Sequence, residues 1–157
     1  ATELADSFTD SANHTAHTMT ASGDVNTDTG IKKVGTASGQ FDGTGDFLSA
    51  AASSDFSFAS SDVWTIEGWV YITSLPGSSA IYFYAITDNF RLSYDTSYTY
   101  WKCAAGSNSD TWSTTPSTDT WIHIAAVSDG TTVKVYFDGT EQMGLLIRGL
   151  ETWMNFG

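Results

Sequence analysis

Acidic and amide side chains gather in two turns of the sequence where they could bind a cation. Asp42 and Asp46 flank a turn with two glycines, and Asp88 and Asn89 form a second polar turn. Carboxylate and carbonyl oxygens are the hard ligands that calcium requires. We therefore predict Asp42, Asp46, Asp88 and Asn89 as calcium ligands, and calcium is the only cofactor that the sequence suggests. A tight turn between two strands is the alternative for 42–46.

Aromatic side chains beside polar ones suggest a second kind of chemistry, the binding of a sugar. A sugar ring offers an apolar face of C–H groups to an aromatic plane and a rim of hydroxyls to polar groups. The predicted carbohydrate-binding residues are Trp69, Tyr71, Arg91, Tyr94, Tyr98, Tyr100 and Trp101. Packing into a core is the alternative for the dense cluster 91–101, and the sequence leaves both interpretations open.

The sequence supports catalysis less than it supports calcium or carbohydrate binding. A glycoside hydrolase needs two carboxylates roughly 5–10 Å apart, and Glu67 has no acidic residue at an alternate position of its own segment. His123 lies in an apolar run, which favours a core imidazole over a metal ligand or a general base. No G-x-S-x-G turn is present. We predict a protein that is not an enzyme and has no catalytic residues, with glycoside hydrolysis as the least favoured alternative.

Charge and composition narrow the class of partner. The chain carries 18 Asp and Glu against 6 Lys and Arg, a formal net charge of −12, which repels the phosphates of nucleic acids. No segment approaches the ~20 apolar residues of a membrane span. Cys103 is the only cysteine, so an intramolecular disulfide is impossible. The length of 157 residues predicts a single domain over 1–157.

Short strands between regular turns must position these residues. Turn-forming residues recur about every ten positions, which is typical of a β-sandwich or barrel. The run 64–72 alternates, so one set of side chains faces a core and the other, with Glu67 and Trp69, faces away. The predicted core set is Trp64, Ile66, Val70 and Ile72.

A second run, 121–127, is apolar at nearly every position. This pattern predicts a central strand that is covered on both faces and buries Trp121. The pair Asp129-Gly130 tolerates the positive φ angles of a tight turn and predicts a hairpin into 132–137.

Four segments in order, 39–48, 64–71, 121–125 and 133–139, are similar to those of a known family. They resemble the laminin G-like, concanavalin A-like jelly rolls, in the variant frequent in phage structural proteins and secreted bacterial proteins. The segment 7–15 resembles the family's early part. The resemblance implies an all-β fold, a two-sheet antiparallel jelly-roll sandwich. Strands that the family usually has before residue 7 and after residue 157 are not recognisable, so the fold is expected to lack terminal strands or to receive them from elsewhere.

An uncovered sheet edge invites pairing with another chain. The leading hypothesis is a non-catalytic structural or adhesive domain of a virion, as in a tail fibre or capsid decoration, or of an extracellular filament. Its partners are other protein chains. A lectin-like carbohydrate-binding module, with glycans as partners, is the alternative, and the two roles are compatible. Both place the protein on a virion or outside the cell.

Overall fold

The computed structural model describes residues 8, 10, 16–59, 61–77, 80–86 and 90–146. The chain divides into two compact units, residues 1–55 and 56–157. The single domain expected from the length therefore stays a prediction. Within the described ranges, helical structure is limited to a 3₁₀ turn at Ser54–Phe56, and no helix there could cross a membrane. The strands are Met19–Ser22 (β1), Asn26–Asp28 (β2), Ser38–Gln40 (β3), Phe47–Ala50 (β4), Val63–Tyr71 (β5), Ala80–Ile86 (β6), Phe90–Asp95 (β7), Tyr100–Ala105 (β8), Asn108–Trp112 (β9), Trp121–Asp129 (β10), Thr132–Phe137 (β11) and Thr140–Leu146 (β12).

Residues 1–55 contain two small antiparallel ladders. Strand β1 pairs with β4, and β2 pairs with β3. Val25, between β1 and β2, is the buried hydrophobic residue of the described part of this unit. The ladders are short because the segment is rich in Ser, Thr, Asp and Gly, which favour turns over extended packing.

Residues 56–157 contain two four-stranded antiparallel sheets. The first sheet has the order β12-β11-β10-β5, and the second sheet has the order β6-β7-β8-β9. Every pairing between neighbouring strands is antiparallel. The predicted all-β fold with two antiparallel sheets, the architecture of the concanavalin A-like jelly roll, is confirmed.

The core lies between these two sheets, and each sheet supplies a different kind of side chain. The first sheet contributes aliphatic residues, namely Ile122, Ile124, Ala126, Val133, Val135 and Leu145. The second sheet contributes the aromatic residues Phe90, Tyr94 and Trp101, together with Leu92, Cys103 and Ala105. Alternate residues of a strand point to opposite faces, so every second residue of β7, β8, β10 and β11 enters this core.

Strand β5 has the register that the alternation predicts. Trp64, Ile66 and Val70 pack against the core, and Ile72, just after the strand, is buried. Gly68 completes the inward set, and its lack of a side chain lets the Tyr84 hydroxyl of β6 approach: a Cβ on Gly68 would lie 2.7 Å from Tyr84 Oη. Burial, and secondarily the charge of Glu67, raise the pKa of Tyr84 to about 12.

The predicted hairpin between β10 and β11 is also confirmed. Ser128 pairs with Val133 across the turn, and Gly130 has φ of 84°. The Asp129 carboxylate accepts hydrogen bonds from the N–H groups of Thr131 at 2.8 Å and Thr132 at 2.7 Å. Strand β10 lies between β5 and β11, which confirms a central strand.

Two expectations for β10 are wrong. Trp121 and His123 were expected in the core, but both are half-buried and point away from it, because Ile122, Ile124 and Ala126 occupy the inward positions. An apolar residue on the second face of a central strand need not be covered by another layer when cross-strand neighbours shield part of it. Residues 1–7 and 147–157 are outside the described residues, so the expectation that strands are missing before residue 7 and after residue 157 stays a prediction.

Candidate functional site

Aromatic and polar side chains form a continuous patch on the outer side of the first sheet. The register of β5 and β10 places Tyr71 opposite Trp121 and Trp69 opposite His123. Glu67 lies two positions before Trp69 on β5 and therefore on the same face. Residues directly opposite in an antiparallel pair share one face of the sheet. We call these five residues, Glu67, Trp69, Tyr71, Trp121 and His123, the aromatic face.

The side chains of the aromatic face contact one another. The rings of Tyr71 and Trp121 meet edge to face with centroids 5.4 Å apart, and those of Trp69 and His123 are 5.0 Å apart. The His123 Nε2 atom lies 3.5 Å from Glu67 Oε2. Trp69 is 41% exposed. The patch is therefore ordered by its own contacts while its central indole stays open to solvent.

Backbone hydrogen bonds hold β10 in place beneath this patch. The His123 N–H donates to Asp138 Oδ1, and the Asp138 N–H donates to the His123 carbonyl, both at 2.9 Å. Asp138 follows β11 and adopts a positive φ of 47°. The adjoining N–H of Asp119 donates to the carbonyl of Ile72 at 2.9 Å, just beyond β5. Both strands that carry the aromatic face are thus anchored at the end where Tyr71 and Trp121 lie.

The aromatic face unites two predicted carbohydrate-binding residues with three that the sequence reasoning did not select. Trp69 and Tyr71 were predicted, whereas Trp121 and His123 were assigned to the core and Glu67 was considered only as a catalytic group. The alternation of β5 had already placed Glu67 on the side of Trp69 and Tyr71. The sequence of neither strand alone predicts that β5 pairs with β10, and it is this pairing that places Trp121 and His123 on the aromatic face.

The cluster 91–101 is divided by the structure. Tyr94 and Trp101 are 1% and 0% exposed, so the core alternative describes them and they cannot offer a ring to a ligand. They point inward because Leu92, Tyr94, Trp101 and Cys103 occupy the inward positions of β7 and β8. Arg91 points outward. Tyr98 and Tyr100 stack at 5.7 Å by the hairpin between β7 and β8, away from the strands that carry Trp69 and Tyr71.

Asp42 and Asp46 use their carboxylates to hold turns together. Asp46 accepts hydrogen bonds from the N–H groups of Asp24 and Asp42, each at 2.7 Å, and Asp42 accepts one from Thr44 at 2.6 Å. In the residues that the structure describes, no group of three His, Cys, Asp or Glu side chains could hold a metal ion. Asp88 and Asn89 lie outside those residues, so the calcium site stays a prediction.

The placement of the glutamates bears on glycoside hydrolysis. Glu67 lies opposite Ala125, Ala125 opposite Tyr136, and Tyr136 opposite Glu141, so the two glutamates end one row that crosses four strands. Three steps between neighbouring strands amount to roughly 14 Å, beyond the spacing of either glycosidase geometry. Glu141 instead pairs with Lys134 at 3.0 Å.

Two other reactive groups have surroundings that the sequence did not predict. Cys103 is fully buried in the core, and burial together with the charge of Asp110 raises the pKa of its thiol to about 12, so it is not a nucleophile near neutral pH. His17 lies between two carboxylates, with Nδ1 3.2 Å from Asp10 and Nε2 3.2 Å from Asp55. Asp10 lies seven residues before His17, but Asp55 lies much further along the chain, so no short motif contains the whole group.

Comparison with known families agrees with the fold. A laminin G-like family model, described as the concanavalin A-like lectin/glucanases superfamily, matches residues 42–149. Comparisons with curated proteins and with solved structures find no match. The family match contains every strand from β4 to β12, including both sheets and the aromatic face. The chain belongs to the laminin G-like family of the concanavalin A-like lectin/glucanases superfamily.

Proposed function

We propose that this protein is a non-catalytic adhesive domain that binds carbohydrate through the aromatic face. The observation that carries the proposal is the open indole of Trp69, which is flanked by His123 and supported by the neighbouring pair Tyr71 and Trp121. A flat aromatic ring stacks on the C–H face of a sugar, and the adjacent Glu67 and His123 supply an acceptor and a polar nitrogen for hydroxyl groups. The description of the superfamily names lectins as well as glucanases, and this is compatible with a sugar-binding role.

The positions of the glutamates support a domain that does not hydrolyse glycosides. Glu67 is the one carboxylate of the aromatic face, and its nearest partner there is the His123 imidazole rather than a second acid. The row that links Glu67 to Glu141 is too long for a catalytic pair. Glu67 is 61% exposed on the side chain, which suits a hydrogen-bond acceptor for a ligand at the surface.

The test is a glycan array followed by calorimetric titration of neutral oligosaccharides that bind. Trp69→Ala should weaken binding roughly tenfold, because the variant loses one stacking contact and the surface area that this contact buries. Tyr98→Ala is the matched control, because Tyr98 is an exposed aromatic residue in the turn between β7 and β8, away from the aromatic face. Its affinity should equal that of the unmodified protein.

Three results would count against the proposal. Binding that is equally sensitive to Tyr98→Ala would place the ligand elsewhere, and absence of binding to every glycan, with and without calcium, would remove the carbohydrate role. Release of reducing sugar from a polysaccharide, lost in Glu67→Gln, would show that the domain is catalytic.

A second role, assembly with other chains, is favoured by the free side of β12. Among the described strands β12 pairs with β11 alone, and its last residue, Leu146, is 50% exposed. An edge strand with an exposed apolar end can add a strand from a neighbour. Light scattering across a concentration series should then show an oligomer that Leu146→Lys dissociates, and a monomer throughout would refute assembly through this edge.

Location on a virion or outside the cell is part of the same proposal, since surface glycans are met there. The resemblance to the phage structural variant of the family supports it. Mass spectrometry of purified virions and of culture supernatant from the source would detect the chain in one of them. Recovery in the cytosolic fraction alone would contradict it.

A further inference from the structure

The second sheet carries a polar groove on its outer side, unrelated to the aromatic face. The groove has a volume of about 240 Å³ and extends over β6, β7 and β8 to the turn before β9. Six of its lining residues carry the argument: Tyr82, Arg91, Ser93, Lys102, Ala104 and Ser109. We call this set the cationic groove.

The register of the second sheet explains why the surface is concave here. Tyr82 lies opposite Ser93 and Ser93 opposite Lys102, while in the next outward row Arg91 lies opposite Ala104. The small side chains of Ser93 and Ala104 therefore form the floor between longer ones. Gly106, with φ of 57°, turns the chain into β9 and brings Ser109, opposite Ala104, to the rim. The concavity follows from the order of small and large residues across three strands.

The charge of the groove is opposite to that of the rest of the chain. Two of the six Lys and Arg residues line it, in a protein whose formal net charge is −12. Within the described part of the chain the ion pairs involve His17, His123 and Lys134, and neither Arg91 nor Lys102 forms one. Nearby Asp95 accepts hydrogen bonds from the N–H groups of Ser97 and Tyr98. Two cations that form no ion pair with the described carboxylates of so acidic a protein offer a local site for an external anion.

The other lining groups favour a sugar as the carrier of that anion. Tyr82 is 59% exposed, so its ring is open for stacking against C–H groups. Ser93 and Ser109 offer hydroxyls, which donate to and accept from sugar hydroxyls. The Arg91 guanidinium can hold a carboxylate or sulfate through two parallel hydrogen bonds, whereas Lys102 acts as a point charge.

We propose that the cationic groove binds an anionic saccharide, with Arg91 and Lys102 on its carboxylate or sulfate group and Tyr82 against the sugar ring. The site is separate from the aromatic face, so the protein would hold neutral sugar on one sheet and acidic sugar on the other. Neither interaction requires the other.

The experiment is calorimetric titration of the full chain with an oligogalacturonate, a sulfated oligosaccharide, a neutral oligosaccharide and polyglutamate. One or both acidic saccharides should bind, with affinity that falls as salt rises. Lys102→Ala should weaken that binding about tenfold or more, the effect of one charge-assisted hydrogen bond. Arg91→Lys should also weaken it, because the charge stays and the planar fork is lost.

Lys134→Ala is the matched control, since it removes the same charge from the first sheet, where Lys134 pairs with Glu141. It should leave the affinity for the acidic saccharide unchanged. Tyr82→Ala should weaken saccharide binding, and circular dichroism verifies that each variant is folded. Failure of both acidic saccharides to bind, equal loss in Lys134→Ala, or equally tight binding of polyglutamate would overturn the proposal.

Discussion

The two sheets of residues 56–157 bury different side chains and expose different ones. The buried residues of the first sheet are Ile, Val, Ala and Leu, with Trp64 and Phe137 partly buried against the core, and the sheet presents Trp69, Tyr71 and Trp121 on its outer side. The second sheet buries Phe90, Tyr94 and Trp101 and presents Arg91 and Lys102 outward. Among the described residues, the fully buried aromatic rings therefore come from the second sheet.

This difference separates two uses of the same residue type. The Trp101 ring contacts Phe83, Tyr94, Trp112 and Phe137, with centroids between 4.6 and 5.8 Å apart. The Trp69 ring contacts His123 and is 41% exposed. An enclosed ring stabilises the fold by the area it removes from water, whereas an open ring leaves that area for a ligand.

The largest expected effect comes from exchanging a core ring for Ala. Trp101→Ala should lower the free energy of unfolding by about 3–5 kcal/mol, the range for a fully buried large aromatic side chain. Trp69→Ala should lower it by less than about 1 kcal/mol, since the indole is exposed. Urea unfolding of the two variants measures the difference, and similar losses would abolish the distinction between the sheets.

A smaller effect is expected where Gly68 of the first sheet meets Tyr84 of the second. Gly68→Ala would place a methyl group against the Tyr84 hydroxyl, and overpacking of this kind should cost about 1–2 kcal/mol. Tyr84→Phe removes the hydroxyl, so the double variant should be more stable than the sum of the two single effects implies. Strictly additive losses in urea unfolding would mean that the two residues do not contact.

Trp121→Ala tests the corrected position of that ring. The loss should be about 1 kcal/mol, the scale of its edge contact with Tyr71. A loss close to that of Trp101→Ala would return Trp121 to a core role, contrary to its half-buried position on the outer side. Tyr71→Ala should give a comparable value, because it removes the same contact from the other strand.

The smallest effect concerns one hairpin in each sheet, where an Asp carboxylate stabilises the turn by accepting backbone hydrogen bonds. Asp129 in the first sheet and Asp95 in the second each accept hydrogen bonds from the N–H groups two and three residues later. The bonds at Asp129 are the shorter ones, at 2.8 and 2.7 Å against 2.9 and 3.2 Å. The N–H groups of Thr132 and Thr131 hold the pKa of Asp129 below its ordinary value of 3.8.

Because the pKa of Asp129 is lower in the folded protein than in the unfolded chain, the ionised carboxylate stabilises the folded state above pH 3.8. This contribution is lost as the pH falls through the pKa of the folded state. Asp129→Asn should therefore reduce the Tm near neutral pH by more than Asp95→Asn does. Its difference from the unmodified protein should shrink as the pH is lowered below 3.8. A pH-independent difference, measured by thermal unfolding, would show that the charge of Asp129 contributes nothing.

The sequence by itself determined the elements that depend on neighbouring residues. The period of two in 64–72 placed Ile66 and Val70 inward and Glu67 and Trp69 outward, and Asp129-Gly130 defined a hairpin, because both features are properties of the local backbone. The ordered segments also pointed to the family that the match over 42–149 establishes.

The tertiary structure decided which aromatic residues are available. Tyr94 and Trp101 became core residues because β7 and β8 face the first sheet, and Trp121 and His123 joined Trp69 because β10 pairs with β5 in one particular register. The cationic groove likewise exists only once Tyr82, Arg91 and Lys102 meet across three strands. A strand's own alternation separates its two faces, but which face is buried, and which side chains of other strands share it, depends on pairing between residues distant in sequence.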